Sequence, residues 1–267
     1  FKELTHSAPI QNYSINVGVS KDNFSSAIIA GYFNQEGVMY NTGFERYSLR
    51  ANNEFVVNDK FKIGLNISPV LQIYNNQGTD GHRNILGAAL CASPILSPYN
   101  EDGSWRPDLT APGMFPQPNW LRVLKEKIDV AKVLTLMATS YAELDIWNGI
   151  KYKLQLGTNL EARNVRAFNS SMVGGNAMIA PPQKATGSFN ANFYYNWTVE
   201  NMLMYTKTFG EHSVDLLAAY SAQKYTTDGN SLSGTAFPDD EISWIDAAAT
   251  RNGGSNMQQL ALISILG

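Results

Sequence analysis

Long stretches of the chain alternate apolar and polar residues with a period of two, the pattern of a β-strand whose two faces meet different surroundings. From Leu134 to Ile146, leucine, alanine and isoleucine dominate one face, while threonine, tyrosine, glutamate and aspartate occupy the other. The stretches from Lys151 to Arg163 and from Phe61 to Ile73 divide in the same way. These segments are longer than the five or six residues typical of soluble strands. A tilted strand of about this length crosses a lipid bilayer.

Weaker alternation predicts further strands, which brings the total to about nine. These segments are residues 10–20, 24–34, 44–56, 195–208, 212–225 and 259–267. Short connections, at 21–23, 58–60, 148–149 and 210–211, then alternate with long ones, at 35–43, 75–133, 164–187 and 226–258. Short turns at one end and long loops at the other predict an up-and-down outer-membrane β-barrel. A soluble sandwich rarely places every long insertion at one end.

Composition excludes several other classes of protein. Charged residues make up 16% of the chain, below the roughly 25% usual for soluble proteins. The net charge of -3, without any dense cluster of basic residues, argues against a nucleic-acid partner. No apolar run approaches the ~18 residues of a membrane-spanning helix, which excludes an α-helical membrane protein. Mild overall hydropathy is compatible with barrel strands that alternate lipid-facing and lumen-facing residues.

Catalytic and metal-binding patterns are missing from the sequence. It contains no nucleophile elbow, phosphate-binding loop, dinucleotide fingerprint or zinc-protease helix, so we predict no enzyme activity, no catalytic residues and no cofactor. His6, His82 and His212 are far apart in the chain, and a single cysteine, Cys91, excludes a site with several cysteine ligands. We therefore predict no metal site.

The connection at 75–132 is too long for plain coil, and loops of this size are usually functional or carry their own structure. We predict short helices at His82 to Leu90 and at Trp120 to Ile128. The chain starts at Phe1, without an initiator methionine or signal peptide, and stops at Gly267 inside an apolar run. We interpret it as part of a longer polypeptide.

Five residues are candidates for ligand contact. Tyr99, Trp105 and Trp120, in the long loop, have flat apolar rings that could stack on sugars, although they could equally pack a small core of the loop itself. Glu143 and Asp145 lie on the polar face of a strand and are expected to face the lumen of a barrel. They could contact a polar solute or form salt bridges across the wall or with a domain inside the barrel.

Several segments, in order, carry a resemblance to a known family. They are APIQNYS at 8–14, GYFNQEGV at 31–38, NTGFERYSLRAN at 41–52 and YTKTFGEH at 205–212. With these segments the chain resembles the SusC/RagA family of TonB-dependent outer-membrane transporters, which is known from Bacteroidetes. The resemblance spans nearly the whole chain.

The resemblance implies that residues 1–267 are part of a single TonB-dependent receptor β-barrel domain of about 22 strands, with the plug domain and the remaining strands outside this chain. It implies a multi-pass location in the bacterial outer membrane and active import of a nutrient, an oligosaccharide or a peptide. A SusD-like surface lipoprotein would cover the extracellular loops. The TonB complex would act through segments not present here, and outer-membrane lipid would surround the barrel.

Two other functions remain open at this point. A passive porin or structural barrel would lack the plug and would need no energy source. A soluble or secreted β-rich module that binds carbohydrate would instead bring its strand faces together in one core.

Overall fold

Nine antiparallel strands form one continuous sheet in the computed structural model, which describes residues 3–77, 89–90, 92–114, 117–173 and 181–267. Each strand pairs only with its neighbours in sequence. The strands are β1 (Ile10–Lys21), β2 (Phe24–Glu36), β3 (Gly43–Asn58), β4 (Phe61–Asn75), β5 (Ile128–Trp147), β6 (Ile150–Asn169), β7 (Thr186–Phe209), β8 (His212–Thr235) and β9 (Thr250–Leu266). This order confirms the predicted up-and-down arrangement.

Short helical elements lie in the described parts of the connections. The helix α1 (Trp120–Glu126) confirms one of the two predicted loop helices, and a 3-10 turn covers Ile245–Ala247. The other predicted helix, His82 to Leu90, falls almost entirely outside the described residues. No helix among those described has the length and apolar content needed to cross a membrane.

The strand bounds depart from the predictions at the end that carries the long connections. β7 begins at Thr186 where we expected 195, β8 continues to Thr235 where we expected 225, and β9 begins at Thr250 where we expected 259. In these extensions polar residues pair with small or polar residues, such as Asn190 with Ser231. Along β8 and β9 both faces are mostly polar in this region, so the alternation is weak there, although β7 keeps Phe189 and Phe193 on the outward face.

The strand register separates an outward face from a lumen face. We call outward the face that bears Leu65 and lumen the face that bears Glu143. Tyr13, Tyr32 and Tyr47 are cross-strand neighbours on the outward face, with ring centroids 6.3 Å apart for the first pair and 5.1 Å for the second. At the other end of the outward face, Phe24 pairs with Phe55. Such aromatic rows at both ends of an apolar band are typical of outer-membrane barrels.

The sheet is open. Within the described residues, β1 and β9 each pair on one side only, and every residue of both strands is exposed. A strand edge in lipid leaves main-chain hydrogen-bonding groups unsatisfied. We therefore expect strands outside this chain to pair with both edges and close the barrel.

Hydrophobic burial is concentrated where the long connections meet, in a group that we call the loop cluster. It draws on the N-terminal segment, the β2–β3 and β4–β5 connections, and the residues after β6. Its buried members are Leu4, Met39, Trp120, Leu121, Val123, Leu124 and Val173. Because α1 supplies four of these seven side chains, the helix is the centre of the cluster.

Candidate functional site: the lumen wall and the loop cluster

Tyr99 and Trp105 stack on each other beside the loop cluster. They form a backbone bridge, and their ring centroids are 4.7 Å apart. The Lys125 ammonium lies over two rings, 5.5 Å from the centroid of Trp105 and 5.3 Å from that of Tyr40. Both predicted contact residues are half-buried, so part of each ring packs on the protein while the rest is accessible to a solute.

The turn between these two aromatic residues is held by its own polar groups. The Asp102 carboxylate accepts hydrogen bonds from the Ser104 hydroxyl at 2.6 Å and from the Ser104 backbone N–H at 2.9 Å. These bonds favour the charged carboxylate and lower the pKa of Asp102 below its ordinary value. They fix the geometry that brings Tyr99 against Trp105.

Trp120, the third predicted aromatic residue, occupies a different environment. It is the first residue of α1, only 7% of it is exposed, and it packs inside the loop cluster. Its ring thus packs in the core of the loop, the alternative to sugar stacking that the sequence allowed. Contact between Trp120 and a ligand remains a prediction.

Asn119, directly before α1, connects three parts of the long loop and is only 1% exposed. Its Nδ2 donates to the carbonyl oxygens of Pro98 at 2.7 Å and Arg106 at 2.9 Å, while its Oδ1 accepts from the Arg122 N–H at 3.3 Å. A buried residue that satisfies three main-chain groups is costly to remove. Sequence inspection did not single out Asn119, although asparagine directly before a helix is a known capping signal.

We expect Asn119→Ala to destabilise the loop cluster by about 2–4 kcal/mol, because two buried carbonyls and a helix N–H lose their partner. Limited proteolysis of the full-length protein should then cut the 92–127 loop much faster than in the wild type. Asn119→Asp keeps the cap acceptor and loses both donors, so it should also be cut faster. Equal cleavage rates for all three proteins would show that Asn119 does not hold the loop.

The predicted lumen residues Glu143 and Asp145 belong to a charged belt near the short turns, which also includes Glu54, Lys62 and Lys151. Glu143 lies 3.5 Å from the Lys62 ammonium and 3.9 Å from that of Lys151. Asp145 lies 3.4 Å from Lys151, and Glu54 lies 3.9 Å from Lys62. The two acidic residues predicted to meet a solute therefore already have cationic partners on neighbouring strands.

Tyr141 lies across the same belt. Its hydroxyl donates a hydrogen bond to Glu54 at 2.5 Å, and the Lys153 ammonium lies 4.7 Å from its ring centroid. The ring covers Gly64, where a Cβ atom would come within 2.2 Å of a ring carbon. Gly64 thus makes room for the tyrosine, and the belt is a connected network that extends from β3 to β6.

A second region of the lumen face, higher on the wall, is uncharged. We call it the carboxamide patch: Asn190 and Asn192 on β7, Gly229 and Ser231 on β8, and Gly254 and Asn256 on β9. These residues line a depression of about 400 Å³. A Cβ atom at position 229 would lie 2.3 Å from Oδ1 of Asn256 and 3.3 Å from Oδ1 of Asn192. The glycine therefore keeps both asparagine side chains accessible.

The three carboxamides of this patch make no side-chain hydrogen bond to any other described residue. Each offers two donors on its nitrogen and an acceptor on its oxygen. The patch is therefore suited to a neutral solute that carries both donors and acceptors, such as a peptide main chain or a sugar with free hydroxyls. No sequence pattern indicates the patch, because only the register of β7 to β9 brings these residues together.

The histidines do not come together in the described part of the chain. His6 stacks on Tyr40 and lies 3.9 Å from Glu36 at the loop end, whereas His212 begins β8 at the short-turn end. His82 lies outside the described residues. In the described ranges, no group of three or more histidine, cysteine or acidic side chains is placed to hold a metal ion.

Comparison with curated proteins finds relatives among receptors of one bacterium, Formosa agariphila (strain DSM 15362). TonB-dependent receptor P3 is 25% identical over 99% of this chain, which covers 27% of that protein. TonB-dependent receptor P26 is 35% identical over 39% of this chain, which corresponds to 10% of its own length. The chain therefore spans about a quarter of the first of these relatives. No family model matches the chain.

Solved structures show the same fold. The RagAB peptide transporter aligns with a TM-score of 0.82 at 19% identity over 99% of this chain and 30% of the matched chain. The RagAB peptide importer in its closed-closed state aligns with a TM-score of 0.80. These likenesses confirm the predicted fold class, part of an antiparallel transmembrane β-barrel. The curated names confirm the predicted resemblance to TonB-dependent receptors and agree with the prediction that the chain is not part of an enzyme.

Proposed function

We propose that this chain, an outer-membrane barrel segment similar to those of TonB-dependent receptors, lines the lumen of an active nutrient importer that works as the SusC-like member of a SusC/SusD pair. The observation that carries the proposal is the lumen face itself. Its wall carries a belt of charged side chains near the short turns and the carboxamide patch near the loops. The similarity to a TonB-dependent receptor over 99% of the chain supports the same function.

The carboxamide patch is the part of the wall that we assign to the solute. The patch itself is uncharged, open and rich in both donors and acceptors, which suits an oligosaccharide or a peptide main chain, and Arg163 of β6 borders it as the cross-strand neighbour of Asn192. Tyr194 and Tyr225 lie next to it on the lumen face, with ring centroids 6.3 Å apart. They add flat surfaces on which a sugar ring or an apolar side chain could rest.

The charged belt is assigned to a different contact. Its cations and anions are paired with one another, but Lys151 and Asp145 are about half-exposed, so such a pair contributes little and can accept a further charged partner. A protein segment that fills the lumen from outside this chain, the plug of the proposed importer, could extend the network with its own charges. The proposed partners of the chain are therefore a plug within the same polypeptide, the TonB complex acting through that plug, and a surface lipoprotein over the loop cluster.

Energy dependence tests the proposed function directly. Cells that carry the full-length protein should accumulate labelled oligosaccharide or peptide from a defined mixture, and dissipating the proton-motive force should reduce the initial rate of uptake at least about tenfold. A surface lipoprotein should co-purify in stoichiometric amount from mild detergent. Uptake that survives loss of the proton-motive force, without a lipoprotein partner, would instead indicate a passive porin.

The role of the carboxamide patch has its own test. We expect the double variant Asn192→Ala and Asn256→Ala to lower uptake efficiency roughly thirtyfold, because two hydrogen bonds to the solute of about 1 kcal/mol each are lost. Asn164→Ala is the matched control, since Asn164 on β6 pairs with Ala191 on the outward face and does not line the depression. Equal uptake by the double variant and the control would remove the patch from the solute path.

A further inference from the structure

The outward face carries a depression near the short turns, lined almost entirely by apolar side chains. It has a volume of about 400 Å³. Its floor is formed by the small residues Ser140 and Ala142 of β5. The walls rise on both sides from larger side chains on β2, β3, β4 and β6, namely Phe24, Phe55, Ile63, Leu65, Leu154 and Leu156. We call this depression the outward groove.

The strand register places the groove on the membrane side of the wall. Ala142 pairs with Ile63 on one side and with Leu154 on the other, and Ser140 pairs with Leu65 and Leu156. All six side chains therefore project from the face opposite to that of Glu143. The groove is continuous with the lipid-facing surface of β4 to β6, so the molecules that can reach it in a membrane are lipids.

The wall residues have few contacts of their own. Phe55 is 39% exposed, Leu65 47% and Leu156 45%, so a large part of each side chain has no protein atoms beside it. The atoms that line such a depression lack van der Waals partners on one side, so a molecule that fills the depression gains dispersion attraction. A cavity of roughly 150 Å³ lined by similar residues is already large enough to take up benzene.

The carboxamide at the rim of the groove, Asn53, already has hydrogen-bond partners. Ser26 donates a hydrogen bond to Oδ1 of Asn53 at 2.7 Å, and Nδ2 of Asn53 donates to the carbonyl oxygen of Leu65 at 3.4 Å. Neither side chain requires water or a polar ligand. Apart from the Ser140 hydroxyl on its floor, the groove therefore presents hydrocarbon surface.

Position along the strands identifies the source of the hydrocarbon. Phe24 is the first residue of β2 and follows the β1–β2 turn, while Ile63 is the third residue of β4 after the β3–β4 turn. At about 3.3 Å per residue these side chains lie within roughly 10 Å of the short turns, which in a bacterial outer-membrane barrel face the periplasm. We propose that the outward groove binds an acyl chain of a phospholipid from the periplasmic leaflet and holds it in a defined position.

Native mass spectrometry of the full-length protein, extracted from outer membranes in mild detergent, tests this assignment. We expect the wild type to retain one phospholipid after stepwise removal of detergent. Ala142→Phe fills the floor and should reduce the lipid-bound fraction at least about tenfold. Ala138→Phe is the matched control, because Ala138 lies on the same strand and face, four residues away and outside the groove. It should retain the lipid.

Two results would overturn the proposal: a wild type without any retained phospholipid, or equal retention by the Ala142→Phe and Ala138→Phe variants. Ser140→Leu is a second filling variant for use if Ala142→Phe does not assemble, and it should also lose the lipid. A cryo-electron microscopy map of the wild type in lipid nanodiscs provides a test without any substitution. Continuous density along Ala142 and Ser140 is expected, and an empty groove would contradict the proposal.

Discussion

Arginine in place of Ile67 is expected to destabilise the barrel by about 2–4 kcal/mol, the cost of a charged side chain facing lipid near the middle of an outer-membrane barrel. Ile67 lies on the outward face of β4, between Ala51 of β3 and Ala138 of β5. The urea concentration at which the full-length protein unfolds from lipid vesicles measures the effect, and it should fall clearly below that of the wild type.

The adjacent residue supplies the control for this prediction. Asn66 pairs with Asn52 and Thr139 and faces the lumen. Asn66→Arg places the same charge one residue away on the same strand, in polar surroundings, and should change stability by no more than about 0.5 kcal/mol. If both arginine variants unfold at the same urea concentration, the assignment of the two faces is wrong.

Alanine in place of Gly149 is expected to cost about 2–4 kcal/mol and to lower the yield of assembled barrel. Gly149 closes the β5–β6 turn with φ 83°, a conformation that residues with a Cβ atom adopt only with strain. A Cβ atom there would also lie 2.4 Å from the carbonyl oxygen of Thr206 on β7. The same pair of residues shares a main-chain hydrogen bond of 2.8 Å, so β7 cannot move away without breaking it.

A substitution at Gly210, in the β7–β8 turn, separates the cost of backbone strain from the cost of contact with Thr206. Gly210 also has a positive φ, 59°, but a Cβ atom there would meet nothing within 4 Å. Gly210→Ala should therefore lose only the conformational part, about 1–2 kcal/mol. Resistance of the folded band to heating in gel electrophoresis compares the two variants. A Gly210→Ala variant as unstable as Gly149→Ala would show that contact with Thr206 is unimportant.

Strands inside the membrane band could be predicted from the sequence, because two different environments impose a two-residue period. All nine strands were found in this way, and β2 and β4 agree with prediction to within two residues at each end. Above the membrane band the two-residue period is weak in β8. Asn230 and Ser231 point to opposite faces and both are polar, so this stretch of the sequence resembles a loop although the chain continues as a strand.

Contacts within the candidate site were less accessible to sequence reasoning. Alternation alone placed Glu143 and Asp145 on the lumen face, but their partners Lys62 and Lys151 follow from the register between strands, which depends on where each turn closes. The aromatic residues of the long loop were recognised by type only. Whether such a ring packs or remains free depends on residues brought from other connections, such as Met39 and Val173.

The extracellular part of the wall is built in two ways, from folded connections and from long strands, and these differ in how much sequence change they tolerate. Over β1 to β6 the height comes from folded connections, which accept insertions and deletions. Over β7 and β8 it comes from uninterrupted strands of 24 residues each, where one inserted residue would turn every later side chain to the opposite face. Related barrels are therefore expected to diverge in length over the first part of the wall, and along β7 and β8 by substitution alone.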